Sequence, residues 1–361
     1  MKILQYAAGL ALAGLLLASP VLALEPVAPD HQHLQYTGRI DVSDPRAPVL
    51  SWPGTSVTAN FTGTSLAIVL DDQHGKNFYN VFLDGDAKRP IILQLEKGKK
   101  RYLVANGMAP GQHRMLLTKR TEGEEGATVF RGLELDDKAG LMPPPARPNR
   151  RIEFFGDSIT SGMGNEAPDD GEDHHGKDKN NYRSYAAIAA RQLGAEAHFT
   201  SQGGIGIMIS WFPFTMPDFY DQLSAVGDND SRWDFSRWTP DVVVVNLMQN
   251  DSWLIGRDHQ LQPEPNAAQR IAAYQAFVAR VRSLYPKAYI VCALGSMDAT
   301  KAGSPWPGYV EAAVANLRTG GDARIDTLFF PFTGYGKHPR VAQHQANADL
   351  LTAFVRKRVG W

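Results

Sequence analysis

Ser158 stands in Gly156-Asp157-Ser158-Ile159-Thr160, directly after an apolar run at 152–155 and before Ser161-Gly162-Met163-Gly164. A buried strand that breaks at such a turn and continues into a helix lifts one hydroxyl above the sheet edge. Ligand sites in open α/β sheets lie at those carboxyl ends of strands. A serine hydroxyl is a poor nucleophile at neutral pH, so it needs a general base and donors for an oxyanion. Groups of both kinds follow in order. Asn250-Asp251 comes after the apolar run 242–247, and His338-Pro339 comes after 327–330, ahead of the last helical segment. Of the ten histidines, only His338 and His344 follow that last strand, and His338 carries the proline that opens a helix. His344 reads as a helix-packing residue. Serine also caps helices, and Gly-Asp-Ser alone is common. Three blocks in the right order make Ser158 the expected nucleophile and His338 the expected base. Asp157 reads as a brace that accepts backbone amides of the turn.

Two kinds of element must position these groups. Before residue 141, short apolar stretches at 57–61, 66–70, 78–83, 91–95, 102–105 and 114–117 are separated by turn residues. That spacing, without a helical period, predicts an antiparallel sandwich at 34–140. Leu141-Met142-Pro143-Pro144-Pro145-Ala146-Arg147-Pro148 holds four prolines in six residues, which reads as a stiff linker over 141–149. From 150 to 361 the rhythm changes. Apolar strands at 152–155, 195–200, 242–247, 288–294 and 327–330 alternate with helical segments, which predicts a parallel sheet covered on both faces. In the segment 267–284, Ile271, Tyr274, Phe277, Val278 and Val281 share one helical face.

The ordered blocks resemble those of the SGNH, or GDSL-type, serine hydrolases, and no G-x-S-x-G elbow occurs in the chain. Lys119-Arg120-Thr121-Glu122, the block from Arg151 to Gly162, Gly164-Asn165-Glu166-Ala167 and Tyr185-Ala186-Ala187-Ile188-Ala189-Ala190-Arg191 make the resemblance closer. Together they look like carbohydrate esterase family 2, from about residue 38 to the C-terminus. The resemblance implies a jelly-roll-like sandwich followed by a flavodoxin-like three-layer α/β/α domain. It implies removal of acetyl groups from plant cell-wall polysaccharides such as acetylated xylan or mannan, preferentially at primary 6-O positions, without a cofactor. Oxyanion donors are then the Ser158 amide, the Asn250 side chain and a glycine amide within Gly203-Gly204-Ile205-Gly206. Matching the family's Gly-x-Gly favours Gly204. SGNH enzymes usually carry an Asp two or three residues before the histidine, whereas Tyr335 and Gly336 stand there in this chain. The expectation is therefore a Ser158–His338 dyad, with the imidazole oriented by a backbone carbonyl. Asp326 lies too far up the preceding strand to replace the acid. Trp211 and Trp253 follow the oxyanion segments and are candidates to line a sugar cleft, with simple packing the equal alternative. Phe212 and Trp306 also lie near predicted loops; for Trp306 packing is favoured.

Composition narrows the remaining classes. Net charge is −1, from 37 basic and 38 acidic residues, which gives no electrostatic reason to expect nucleic acid or anionic membranes. The single cysteine, Cys292, lies in an apolar strand and reads as a buried thiol. Lys2, the apolar run 7–18 and Val21-Leu22-Ala23 have the form of an export signal over 1–23, too short to serve as a membrane anchor. The expected location is thus periplasmic or secreted, with an acetylated polysaccharide as partner. Asp169-Asp170-Gly171-Glu172-Asp173-His174-His175 matches no calcium or zinc loop and is expected to be a solvated lid; no metal is expected. Two rivals stand beside the polysaccharide esterase: an SGNH esterase or lipase for another acyl group, and a carbohydrate-binding protein with a vestigial hydrolase domain.

Overall fold

The computed structural model describes residues 24–227, 230–332, 334 and 337–361. The expected export signal at 1–23, and Tyr335 and Gly336 before the histidine, lie outside the described residues. The N-terminal part is a sandwich of two antiparallel sheets. One has Ile40–Asp41, Val49–Leu50, Thr128–Asp136, Leu66–Asp72 and Gly98–Ala105 in that spatial order, with Leu24–Val27 also on Thr128–Asp136. The other runs Leu141–Met142, Ser56–Thr62, Gln112–Lys119, Phe78–Leu83 and Ile91–Gln94, with Gln35–Thr37 beside Ser56–Thr62. Alternation drives the packing. Val57, Ala59 and Phe61 of one strand and Met115 and Leu117 of its neighbour turn inward onto Leu66, Ile68 and Leu70 of the facing sheet.

Three expectations change here. The sandwich begins before residue 34, because Leu24–Val27 pairs residue for residue with Leu133 to Asp136. The linker begins as an edge strand, Leu141–Met142, paired with Phe61 and Asn60. A proline-rich segment can supply an edge strand in the residues before its first proline. The strand Thr128–Asp136, central to its sheet, was not among the expected strands. Its alternation is broken by a bulge between Phe130 and Gly132, which shifts the register by one residue.

The second part is a five-stranded parallel sheet: Ala195–Ser201, Arg150–Gly156, Val242–Asn246, Tyr289–Leu294 and Ile325–Phe329 in spatial order. Numbered along the chain the order is 2-1-3-4-5, the flavodoxin-like arrangement. Helices Ala267–Leu284 and Trp306–Thr319 cover one face, and Tyr185–Gln192 and Val341–Val359 the other. Both faces of the strands are therefore buried, which is why Val242 to Val245 are all valine. Helix Ala267–Leu284 opens with a capping box between Asn266 and Gln269 and buries Tyr274, Phe277, Val278 and Val281.

The two parts share a buried polar seam. Arg39 of the sandwich donates to Glu153 on the first parallel strand at 2.7 Å and to the Tyr220 carbonyl at 2.6 Å. Tyr285 donates to the other Glu153 oxygen at 2.5 Å. The block Lys119-Arg120-Thr121-Glu122 is wholly buried at the same seam. Arg120 donates to the carbonyls of Lys179 and Lys177 at 3.1 and 2.9 Å and pairs with Glu166. The sequence block thus docks one part on the other.

Candidate active site

The chain order reverses between the first and third strands, and in this sheet type ligands bind at that crevice. The first strand delivers Ser158 there. Asp157 caps the short helix Ser158–Ser161, its Oδ1 accepting the Ile159 amide at 2.9 Å, which is the bracing expected of it. Its other oxygen is buried without a partner among the described residues. Burial, with the charges of Glu122 and Asp251, pushes the Asp157 carboxyl up to about 7. Gly156 is obligatory, since a Cβ there would meet Thr160 Oγ1 at 2.1 Å. The Ser158 hydroxyl lies 2.9 Å from His338 Nε2. His338 comes from the segment leading into helix Val341–Val359.

The dyad expectation needs correction. His338 is held by a carboxylate, not by a backbone carbonyl. Asp173 Oδ2 lies 3.1 Å from His338 Nδ1 and accepts the His338 amide at 2.8 Å. Burial alone pushes the Asp173 carboxyl upward, but the His338 ring and amide and the nearby Arg340 outweigh it and hold the group well below the usual carboxylate range. The loop expected to be a solvated lid is instead strapped to the histidine segment. Lys337 Nζ donates to the Gly171 carbonyl at 2.8 Å, and Arg340 donates to the Pro168 carbonyl at 2.9 Å. Gly164 lets this loop close, because a Cβ there would meet the Asp173 carbonyl at 2.2 Å. Among the described residues no group of carboxylates, histidines and cysteines could hold a metal ion. Asp326 is engaged elsewhere, by Tyr289 at 2.7 Å, Arg358 at 3.1 Å and Arg318. His344 is buried against Tyr185, whose amide its Nδ1 accepts at 3.0 Å. It is a packing residue, as expected.

The groups expected to donate line the same cleft as the histidine. Gly203 gives its amide to Glu122 Oε2 at 2.5 Å and Gly206 gives its amide to Ser210 Oγ at 3.0 Å. That leaves Gly204, at φ +82°, as the glycine of the three with no internal acceptor for its amide among the described residues. The Ser158 amide is the first of its helix and has no intrahelical acceptor either. Asn250, near the start of helix Gln249–Leu254, has its amide plane fixed at both ends. Nδ2 donates to the Ile205 carbonyl at 2.8 Å and Oδ1 accepts the Trp211 indole at 3.2 Å. One Nδ2 hydrogen then remains to donate. Asp251 was read only as part of the Asn-Asp pair. It is buried and accepts the amides of Ile207 and Met208, tying this turn to the helix that carries Asn250.

These groups line a cleft of about 390 Å³ together with Met163, Gln202, Phe212 and Glu124. Trp211 and Trp253 both lie on it. Trp211 is 52% exposed, and Trp253 is steered by a bond from its indole to Asp298 at 2.7 Å. Trp306 is buried against Tyr309 and Arg270, away from the cleft. Glu124, contributed by the sandwich, was not foreseen. No pattern in its neighbourhood marks it.

The profile for the N-terminal domain of carbohydrate esterase 2 matches residues 36–145, and that for the GDSL-like lipase/acylhydrolase family matches 154–352. Cellulase/esterase CelE of Acetivibrio thermocellus is 33% identical over 349 residues, covering 92% of this chain; the chain spans 40% of that protein's length. An acetylxylan esterase / glucomannan deacetylase of Cellvibrio japonicus is 27% identical over 97% of both chains. The structure of a family two carbohydrate esterase from Clostridium thermocellum, in complex with cellohexaose, superposes with a TM-score of 0.82 at 32% identity, covering 91% of this chain and 99% of that one. With both domains matched and a relative 33% identical over 92% of this chain, the chain belongs to carbohydrate esterase family 2.

Proposed function

We propose that the chain is an exported serine esterase that removes O-acetyl groups from plant cell-wall polysaccharides such as xylan, mannan or glucomannan. The observation that carries the chemistry is the 2.9 Å contact between Ser158 Oγ and His338 Nε2, with Asp173 behind the ring. Ser158 Oγ attacks the acetyl carbonyl carbon while His338 takes the hydroxyl proton. The oxygen that gains charge receives the amides of Ser158 and Gly204 and the free Nδ2 hydrogen of Asn250. The bond to the sugar oxygen then breaks, and His338 returns the proton to it. Water, deprotonated by the same imidazole, releases acetate from Ser158. Asp173 holds the tautomer that presents Nε2 to the serine and stabilises the imidazolium formed on the way.

The polysaccharide rests on relatives named acetylxylan esterase / glucomannan deacetylase and on one bound to cellohexaose. The exposed Trp211 face suits a sugar ring. The preference for 6-O acetyl groups is carried over from the resemblance to the family alone. Export follows from the form of residues 1–23. A lipase reading is less well supported, because the loop over the site is polar. Acetate release should be measured on acetylated xylan and acetylated glucomannan beside a short aryl acetate, with Ser158→Ala as control. Turnover of the aryl ester alone would remove the polysaccharide assignment. Undiminished release by folded Ser158→Ala would remove the nucleophile.

A further inference from the structure

We infer that Glu122, a residue of the sandwich domain, is a positioning residue for the oxyanion turn of the other domain. The inference rests on the proposed reading of the Gly204 amide as an oxyanion donor. The peptide bearing that amide joins Gly203 to Gly204, so its orientation is set by what holds the two residues. Gly204 is held on its C-terminal side, where its carbonyl accepts the Trp211 amide at 3.1 Å. On the other side the Gly203 amide is held by Glu122 Oε2 at 2.5 Å. Without that acceptor, rotation about the Gly203 bonds would swing the next amide away from the cleft. Two glycines in succession offer little resistance of their own.

Glu122 is itself prevented from moving. Its side chain is fully buried, its amide is accepted by Glu125 Oε2 at 3.1 Å, and Lys119 Nζ donates to its carbonyl at 2.7 Å. Its second oxygen has no partner among the described residues. A carboxylate buried with one acceptor unused is costly to keep for stability alone. Besides closing a capping box with Glu125, its side chain makes the bond that reaches the oxyanion turn. Burial pushes the carboxyl up from the usual carboxylate range, opposed by the Lys179 charge. In the neutral form its carbonyl oxygen still accepts the Gly203 amide without setting a full negative charge behind the oxyanion site.

The test compares Glu122→Leu, which removes the acceptor, with Glu122→Gln, which keeps one. Kinetics on an aryl acetate are read alongside thermal melting. Glu122→Leu is expected to lower kcat roughly tenfold to a hundredfold with KM within about threefold. Glu122→Gln, though destabilised by its unpaired amide, is expected to restore kcat to within about threefold of the parent. A folded Glu122→Leu with parental kcat overturns the inference, as does a Gln variant no better than Leu. Should Glu122→Leu fail to fold, Gly203→Ala decides. Its Cβ would sit 2.8 Å from Glu122 Oε2 and displace that carboxylate. A kcat loss of the same kind supports the role, and an unchanged kcat refutes it. Asn250→Ala separates the two readings: lost kcat there with intact kcat in the Glu122 variants sinks Glu122 alone, whereas parental kcat in Asn250→Ala sinks the oxyanion reading itself.

Discussion

Asp173 occupies the position of a triad aspartate behind the His338 ring, although it lies 165 residues from His338 in sequence. Removing the charge while keeping the shape, Asp173→Asn, should lower kcat between about 10²- and 10⁴-fold, because the wrong imidazole tautomer then faces Ser158. Steady-state kinetics with circular dichroism to confirm folding are the check, and a kcat within threefold of the parent would return the site to a dyad. Asp326→Asn should be mild, since its partners are Tyr289, Arg318 and Arg358. Ser158→Ala and His338→Ala should each lower kcat by several orders of magnitude, on the order of 10⁶, leaving a residual rate that can still be measured, and the double variant should be no worse than either, because the two act as one unit. A further loss in the double variant would mean that His338 serves another step. That Ser158, Asn250 and His338 would meet in one cleft was legible because each follows a strand in the fixed order of the fold. Asp173 was not. It shares a polar loop with Asp169, Asp170 and Glu172, and only the strapping by Lys337 and Arg340 selects one carboxylate from four.

At the scale of elements, the parallel strands were plain because burial on both faces requires unbroken apolar runs. The strand Thr128–Asp136 was hidden because Arg131 and Gly132 interrupt its alternation at the bulge. Likewise Leu141–Met142 is too short to announce itself beside four prolines. The turn that begins the nucleophile helix has a pH signature of its own. An aspartyl group near 3.9 in the unfolded chain and about 7 in Asp157 binds its proton more tightly when folded. That contribution is fully present below the unfolded value and is lost as pH rises through the folded one. Asp157→Asn keeps a good helix cap without a proton to lose. The melting temperature of the parent should therefore fall relative to the variant between about pH 5 and 8. Parallel melting curves across that range would show that Asp157 does not titrate there.

For the whole molecule, the seam between the two parts decides how the chain unfolds. Arg39 and Glu153 are both buried, with Tyr285 and Thr200 completing the carboxylate's hydrogen bonds. Breaking such a pair from one side strands a charge and costs about 3–5 kcal/mol. Arg39→Leu should lower the melting temperature substantially, and pairing it with Glu153→Leu should recover part of the loss. Calorimetry should show one transition for the parent, since the seam is contiguous with the core of both parts. Two well-separated transitions in the parent would contradict this coupling.

The proposed nucleophile and its base also differ in birth order. Ser158 leaves the ribosome 180 residues ahead of His338. During that interval the turn, the donor amides and much of the sheet can form around a hydroxyl that nothing yet deprotonates. Reactivity is thus withheld through most of translation and arrives late, as the segment carrying His338 settles against a loop completed long before. Nascent chains that stall upstream of that segment would carry the serine and the donor amides but lack both the base and the helix that closes one face of the sheet.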